Sequence, residues 1–566
     1  MVSAPQYHGV FDPGLAPAVQ ICVYTADGCG SVIADFTATG GPGVETVRVD
    51  QANQLYIVNW HTNDAGLDPA RTYRIRVLLE GLELGFVDVD VVSSGKELRS
   101  VQTNEYIPLL NGTTLPIKFR IERGMPFRVA FSVQPTATTA GEDITPAVEV
   151  ALQDASGNLF TDVPSNVTLA IGANPTGGRL SGNAAAVTVN GIASFTDLAI
   201  DRDGAPYTLT ASSQGLLGAI SHPFTIVSFV ALTTGFGHVC GLTTGQAAYC
   251  WGANDRGQLG RGYAYNTFEP VPSPVAGGIA FASLSASGNH TCGVSVDGSG
   301  YCWGENAGQL GDGTDNERWA PVRVSGGLTL AGVSAGRTHT CGVTTQGAAY
   351  CWGDNGAGEL GDGDVSEPKL SPVPVFGGLL FVQVAAGGDI TCGITTDHAS
   401  YCWGRPRGAY ATFLDQPNRV PGDLAFGTIT AGVHYACGVA SAAAYCWGVN
   451  EVGQLGDGTT FDLRDLPVPV SGGLGFTSVS TGDAHACAVT SDGAAYCWGD
   501  NMLGQLGDGT TNPRNVPMPV TGGLVFSSVS AGGVITCGLS NDGGTYCWGT
   551  SGNLGYATAP VRLSLR

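Results

Sequence analysis

Cysteine and histidine are the side chains here whose spacing could do chemistry. Of 16 cysteines in 566 residues, fourteen fall as pairs in the C-terminal three-fifths. Six pairs are ten apart: Cys240 and Cys250, Cys292 and Cys302, Cys341 and Cys351, Cys392 and Cys402, Cys487 and Cys497, Cys537 and Cys547. The seventh, Cys437 and Cys446, is nine apart. Histidine stands two residues before the first cysteine at His238, His290, His339 and His485. Cysteine with histidine is the raw material of zinc sites, but nine intervening residues do not match the short spacers of metal knuckles. Ile390, Tyr435 and Ile535 take the histidine's place in the other three pairs. A residue replaceable by isoleucine is structural, so neither a metal nor a cofactor is expected.

Turn chemistry accounts for the pairs better. If Cys341 faces Cys351 across a hairpin, the loop is Thr345-Gln346-Gly347, three residues closed by a left-handed glycine. Gly298, Gly493 and Gly543 hold the same place, while Gln246 and His398 replace it in two repeats. In the nine-residue pair one residue fewer would turn a side chain to the other face, unless the loop also shortens to two residues. The stretch Ala440-Ser-Ala-Ala443 accommodates such a loop. Spacing and loop length covary so as to keep each pair in register, which favours a cross-strand disulfide in every repeat over buried free thiols. Cys22 and Cys29 flank Val-Tyr-Thr-Ala-Asp-Gly, where a two-residue loop at Thr25-Ala26 would set them opposite each other.

Paired cysteines at this density imply an oxidising compartment, hence an extracellular or cell-surface location. No secretory signal is visible at Met1-Val-Ser-Ala-Pro-Gln-Tyr7 and no apolar run is long enough to span a bilayer. An exported protein of this sequence is then a mature or truncated form.

Other chemistry is hard to place. Single acidic residues in Gly311-Asp-Gly313 and Gly456-Asp-Gly458 suit turns better than calcium. Phosphate loops, a nucleophile elbow and a zinc-protease helix are absent, and no spacing singles out a catalytic triad, so no enzyme activity is expected. A net charge of −22, spread along the chain, disfavours nucleic acid and anionic membrane as partners.

The elements that must position these residues are strands. Gly 86, Pro 30 and only 13% charged residues indicate a turn-rich all-β protein. The phrase Thr340-Cys-Gly-Val-Thr-Thr-Gln-Gly-Ala-Ala-Tyr-Cys-Trp-Gly353 returns seven times, marked by Trp251, Trp303, Trp352, Trp403, Trp447, Trp498 and Trp548. A β-rich repeat of this length points to a propeller with about four strands per blade. Upstream, Tyr73, Ile75 and Val77 alternate with Arg74 and Arg76, and Val148, Val150 and Leu152 alternate likewise further on. Each such strand has one buried and one wet face, as in a sandwich. The fold class expected is all-β, two β-sandwich (Ig-like) domains followed by a seven-bladed β-propeller. Its parts are a flexible lead-in at 1–14, a β-sandwich at 15–124, an Ig-like sandwich at 125–228 and the propeller at 229–566.

Two resemblances add to this. The phrases Val148-Glu-Val-Ala-Leu-Gln-Asp-Ala-Ser-Gly-Asn158 and Gly191-Ile-Ala-Ser-Phe195 resemble bacterial immunoglobulin-like domains of surface proteins. Ala335-Gly-Arg-Thr-His-Thr-Cys-Gly-Val343, Tyr350-Cys-Trp-Gly353 and Gly453-Gln-Leu-Gly-Asp-Gly458 resemble the regulator of chromosome condensation family, seven-bladed propellers. That family includes an exchange factor for a small nuclear GTPase and secreted bacterial propellers that inhibit β-lactamases; export and a protein-binding loop face fit the second. The resemblance places a blade-closing strand at Ala559-Pro-Val-Arg-Leu-Ser564, pairing near Phe229.

Binding residues are sought where loops depart from the repeat. These are Arg261, Tyr263, Tyr265 and Phe268 in the first, Arg318 and Trp319 in the second, and Arg405, Arg407, Tyr410 and Phe413 in the fourth, which also lacks Gly-Gln-Leu-Gly. Arginine with aromatic side chains is the composition of interface hot spots, the alternative being ordinary loop drift. The function expected is that of an exported or cell-surface bacterial binding protein, its propeller presenting a loop face to an unidentified macromolecule, protein or glycan, on an Ig-like stalk. The alternatives are a self-assembling structural subunit of an extracellular appendage and a secreted hydrolase.

Overall fold

The computed structural model describes residues 10–26, 28–92, 107–123, 126–161, 163–264, 268–405, 414–460, 463–550 and 556–563. They form strands with three short 3-10 turns and no α-helix. Of the lead-in expected at 1–14, residues 1–9 lie outside the described residues, as does the expected boundary at 124–125. Val10–Phe11 form a strand paired with Glu122–Arg123, and Phe11 and Asp12 are buried, so this part of the lead-in is held in place rather than loose.

Two hydrophobic cores precede the repeats. In the first, Val19, Ile21, Tyr73, Ile75 and Val89 of a five-stranded sheet pack with Tyr56, Val58 and Trp60 of a three-stranded one. Arg74 points to the opposite, wetter side and pairs with Asp88 on the next strand at 2.8 Å. In the second, Val129, Val150, Leu152 and Phe195 pack with Val167, Leu169, Leu209 and Ile226. Cys22 and Cys29 are joined, but not as a directly opposed pair: Cys22 lies opposite Val32 and Cys29 opposite Tyr24. Strands Ala18–Thr25 and Gly28–Phe36 end later than the expected Thr25-Ala26 loop, and register shifts along the pair bring the two sulfurs together diagonally.

From Phe229 onward each repeat folds into its own four-stranded antiparallel sheet. The first comprises Phe229–Thr234, His238–Thr243, Ala248–Ala253 and Phe268–Pro274. The seventh comprises Phe526–Ala531, Ile535–Ser540, Thr545–Thr550 and Tyr556–Arg562. The strand at the chain end therefore pairs within its own blade, not near Phe229 as expected. The seventh repeat needs an outer strand like the other six, and Tyr556–Arg562 supplies it beside Thr545–Thr550.

The central hairpin of every blade carries its cysteines directly opposite each other, with Cα atoms 4.1 Å apart for Cys341 and Cys351. That is the closer kind of antiparallel pair. Every expected blade disulfide is formed. Cys240 is bonded to Cys250, Cys292 to Cys302, Cys341 to Cys351 and Cys392 to Cys402. Cys437 is bonded to Cys446, Cys487 to Cys497 and Cys537 to Cys547. Gly347 closes its loop with φ 86°, and Gln246 and His398 hold the same left-handed conformation, φ 65°, without being glycine. In the fifth blade Ser441 and Ala442 are both left-handed, as a two-residue turn of this hand requires, and Ala440 pairs with Ala443. The shorter loop is what leaves Cys446 opposite Cys437 despite the missing residue.

Blades are sealed to one another in three layers. Innermost, hydroxyls on the axial strands reach the next blade: Thr233 Oγ1 accepts from Ala286 N, Ser285 Oγ from Ala335 N, and Ser480 Oγ from Ala531 N, at 2.8–2.9 Å. The fourth blade has Ala385 there, and Gln383 substitutes by holding both backbone groups of Ile429. Thr234 and Ser530, 2.9 Å apart, join the first blade to the seventh.

Next come glycines at the ends of the axial strands. A Cβ on Gly387 would lie 2.0 Å from Gly432 O, on Gly482 2.1 Å from Gly532 O, and on Gly532 2.3 Å from Gly235 O. Only glycine permits this approach, and Ser287 is the one departure.

Farther out, a buried leucine after the third strand fits between its own blade's cysteines and the next blade's tryptophan. Leu259 meets Trp303, Leu310 meets Trp352, Leu360 meets Trp403, Leu455 meets Trp498 and Leu506 meets Trp548.

Candidate functional site: the loop end of the propeller

The strand order gives the propeller two unlike ends. The cysteine hairpins lie at one; the other carries the turns that follow the axial glycines and the long loops after Trp-Gly. Backbone bonds tie those turns and loops together, for example Glu305 N to Asn289 O at 3.0 Å. The N-terminal part touches the hairpin side: Thr244, in the first hairpin, donates to the Asp203 carboxylate, and Arg562 pairs with Glu142.

Five of the long loops are built around a buried asparagine, Asn254, Asn306, Asn355, Asn450 or Asn501. Asn501 Oδ1 accepts from Leu506 N at 3.0 Å, while its Nδ2 donates to Asp508 Oδ1 and to Thr510 O, both at 3.1 Å. Asp508 then binds Arg514 on the outer strand at 2.8 Å, and hydrogen bonds from Thr510 and Arg514 offset the burial of its carboxylate and hold it below the usual range. Asp312–Arg318 and Asp457–Arg464 repeat the pair. In the first blade Arg261 takes the aspartate's place and Glu269 the arginine's, 2.9 Å apart, so the same bridge is made with its charges exchanged.

The expected binding residues therefore divide. Arg261 and Arg318 fasten their own loops, and Arg261 also lies over the Tyr263 ring. Phe268 is half-buried on its outer strand. Trp319 is 47% exposed, over Gly257 of the preceding blade, its carbonyl accepting from Gly262 N. Arg256 beside it binds Glu317 at 2.9 Å. Arg405 is exposed. Tyr265, Arg407, Tyr410 and Phe413 lie outside the described residues. The first two blades thus bring Trp319, Arg256 and Glu317 together, and Arg405 lies in the fourth. Arg256 and Glu317 had no signal in the sequence beyond their closeness to the irregular loops.

The histidines do not face the axis. His238, His290, His339 and His485 are fully buried between blades. The axial cavity on the loop side, about 150 Å³, is lined instead by small residues such as Ser285, Ser334 and Gly432, with Arg337 and Asp483 as its charged groups. Burial raises the Asp483 carboxyl above its usual range, against the pull of Arg337. Among the described residues no group of three or more His, Cys, Asp or Glu side chains could hold a metal.

A second cavity, about 230 Å³, opens between the fourth and fifth blades. Trp403, Cys402, Leu414 and Val420 line it from one side, Trp447 and Leu463 from the other. Trp447 stands where Trp498 and Trp303 stand in their blades, but among the described residues no plugging leucine joins the core around it, and the plug's position after Trp403 falls in 406–413, outside the described residues. The 44-residue step from Trp403 to Trp447 and the missing Gly-Gln-Leu-Gly were the sequence signal for this departure.

Comparison with known proteins agrees with this architecture. The profile of the regulator of chromosome condensation (RCC1) repeat matches residues 247–294, 297–343, 346–394, 442–489 and 492–539, and a second profile of the same repeat matches 229–258, 331–359 and 476–505. Both pass over 395–441, where the fourth repeat departs from the pattern. The chain is 30% identical over 269 residues to the human E3 ubiquitin-protein ligase HERC2, covering 45% of this chain and 6% of that protein. It is 30% identical over 248 residues to the ultraviolet-B receptor UVR8 of Arabidopsis thaliana, 41% of this chain and 56% of the receptor. It thus spans a small part of the first relative and just over half of the second. Among solved structures, human WBSCR16 superimposes with a TM-score of 0.51 at 21% identity, over 57% of this chain and 90% of that one. Yeast RCC1 (Prp20) in its complex with Kap60 gives 0.50 at 19%, over 56% and 83%. Residues 229–539, apart from 395–441, thus carry matches to the RCC1 repeat, and the C-terminal part of this chain has the fold of a β-propeller.

Proposed function

We propose that the propeller is a protein-binding platform that works in an oxidising, extracellular or cell-surface setting, its loop end turned to the partner. The observation that carries this reading is the contrast between the ends: the N-terminal part touches the hairpin side, while Trp319 stands exposed at the other. A rigid indole backed by glycine, with Arg256 and Glu317 beside it, has the composition of an interface anchor and its polar rim. One relative is named a ubiquitin ligase and another an ultraviolet-B receptor; what they share with this chain is the repeat, which suits a scaffold for recognition rather than a catalytic centre. Eight disulfides and no free cysteine among the described residues support the oxidising setting. The two N-terminal β-units, immunoglobulin-like in this reading and bacterial in type, act as a stalk.

The test is capture of partners from native extracellular material by the full chain, comparing it with the double variant Arg256→Ala, Trp319→Ala. Loss of a specific partner in the variant supports the reading; equal recovery of every captured protein refutes it.

A further inference from the structure

We infer that the wide, hairpin-side half of the axial channel is a binding site for an uncharged small molecule with an apolar body and hydroxyl or carbonyl groups. The site lies at the end opposite Trp319 and stands independently of the protein-binding reading above.

Four consecutive blades, the third to the sixth, build it from their first strands, Leu330–Ala335, Phe381–Ala386, Thr428–Ala431 and Phe476–Thr481. These strands and the hairpins beside them all lie within the described residues. The space they enclose is about 460 Å³, within the ~300–1,000 Å³ of small-molecule clefts. A cavity of ~150 Å³ already takes up benzene, so one side chain of a partner protein would leave most of this space empty.

Six aliphatic side chains face the cavity: Val333, Val343, Val382, Val384, Ile429 and Val479. No charged side chain is among the lining residues. An ion entering here would lose hydration with no counter-charge to meet it, so the site selects neutral molecules.

Ser334, Ala385 and Thr430 line both this cavity and the smaller one on the loop side, which makes the two halves of one channel. Where they meet, the hydroxyls are committed to joining blades: Ser334 Oγ accepts from Ala386 N at 2.9 Å, and Thr430 Oγ1 lies 2.7 Å from Thr481 Oγ1. Gln383 is committed too, its amide holding both backbone groups of Ile429. Nearer the hairpin end, Thr428 and Ser478 stand on adjacent blades, and their hydroxyls have no hydrogen-bond partner among the described residues. These two are the groups that would meet a ligand's hydroxyl or carbonyl oxygen.

Gly332 gives the cavity its width. It occupies the place that Gln383 and Ser478 hold in their blades, and a Cβ built on it would meet nothing within 4 Å.

The test titrates the full chain with Nile red, an uncharged dye whose emission shifts to the blue in apolar surroundings. One saturable site is expected. Gly332→Phe fills the open space and Val382→Lys puts a charge on an exposed wall residue, so each should weaken binding more than about tenfold with the melting temperature unchanged. Either suffices if the other fails to fold. The anionic dye anilinonaphthalene sulfonate should bind at least about tenfold more weakly than Nile red. No saturable binding, binding untouched by both variants, or an anionic dye held as tightly as the neutral one overturns the proposal. A concentration-dependent dimer that excludes the dye would make a second copy the occupant and overturns it as well.

Discussion

His238 Nε2 lies 2.8 Å from Thr291 Oγ1 across the boundary between the first two blades. The Thr291 hydroxyl directs its own proton at Gln258 O, 3.0 Å away, so the imidazole is the donor and carries its proton on Nε2. Nδ1 is buried without a partner, against Gly235, where a Cβ would come within 2.5 Å of it. His290–Thr340, His339–Thr391 and His485–Thr536 repeat the arrangement at 2.8–2.9 Å.

Protonating any of these rings would bury a second N–H with nothing to accept it. Burial accordingly lowers the pKa of His238 and His339 to about 4 and of His290 and His485 to about 3, from 6.5. A depressed folded pKa gives stability that is complete above 6.5 and lost as the pH falls toward the folded value, about 2 kcal/mol per histidine by pH 5. Melting should therefore drop steeply between pH 7 and pH 5, and His339→Ile, which copies Ile390 and Ile535, should flatten that dependence. An unchanged profile in the variant would remove the histidines from the explanation.

Glu359 works in the opposite sense. It occupies the place of Gln258 and Gln505, whose Nε2 groups donate to Asp255 and Asp500 at 2.9 and 3.0 Å. Burial, reinforced by the charges of Asp354 and Asp389, pushes its carboxyl up to about 7. A raised folded pKa gives stability that is present below 4.5 and lost as the pH rises through 7. Glu359→Gln should raise stability by about 1–2 kcal/mol at pH 8 and by much less at pH 5, read as denaturant midpoints at the two pH values.

The axial glycines should be intolerant of a single methyl. Gly387→Ala places Cβ against the Gly432 carbonyl and is expected to cost about 3 kcal/mol. Ser287→Gly, at the one position of the ring that already carries a side chain, should change stability by less than about 1 kcal/mol. Equal effects from the two would mean that the blades do not meet through these residues.

Exchanged charges at equivalent positions offer a double-mutant test. Arg261→Asp and Glu269→Arg should each destabilise the first blade by roughly 1–2 kcal/mol, because each leaves like charges facing. Together they recreate the Asp312–Arg318 pair and should recover most of the loss. Additive losses would contradict the exchange.

Much of this was legible in the chain because the repeat reports on itself. Seven copies fix the period, and the shortened pair of Cys437 and Cys446 shows that register is what the spacing preserves. The role of Arg261 was not legible: an arginine beside tyrosines reads as an interface, and only the fold reveals Glu269 across from it. The chain-end strand was misplaced because strand partners lie far apart in sequence, and Tyr556–Arg562 carries no label saying which blade it joins. The Cys22 and Cys29 register failed for a related reason, since bulges leave little trace in a short alternating pattern. The plug at the blade boundaries was visible only as Gly-Gln-Leu-Gly, whose fit against the next tryptophan is a tertiary fact.

The claim that the loop end receives the partner is tested most directly by site-specific photo-crosslinking. A crosslinking side chain at Trp319 should trap the protein that the unmodified chain captures, and the same group at exposed Thr396, on the hairpin end, should trap none. Crosslinks formed from Thr396 with none from Trp319 would contradict it.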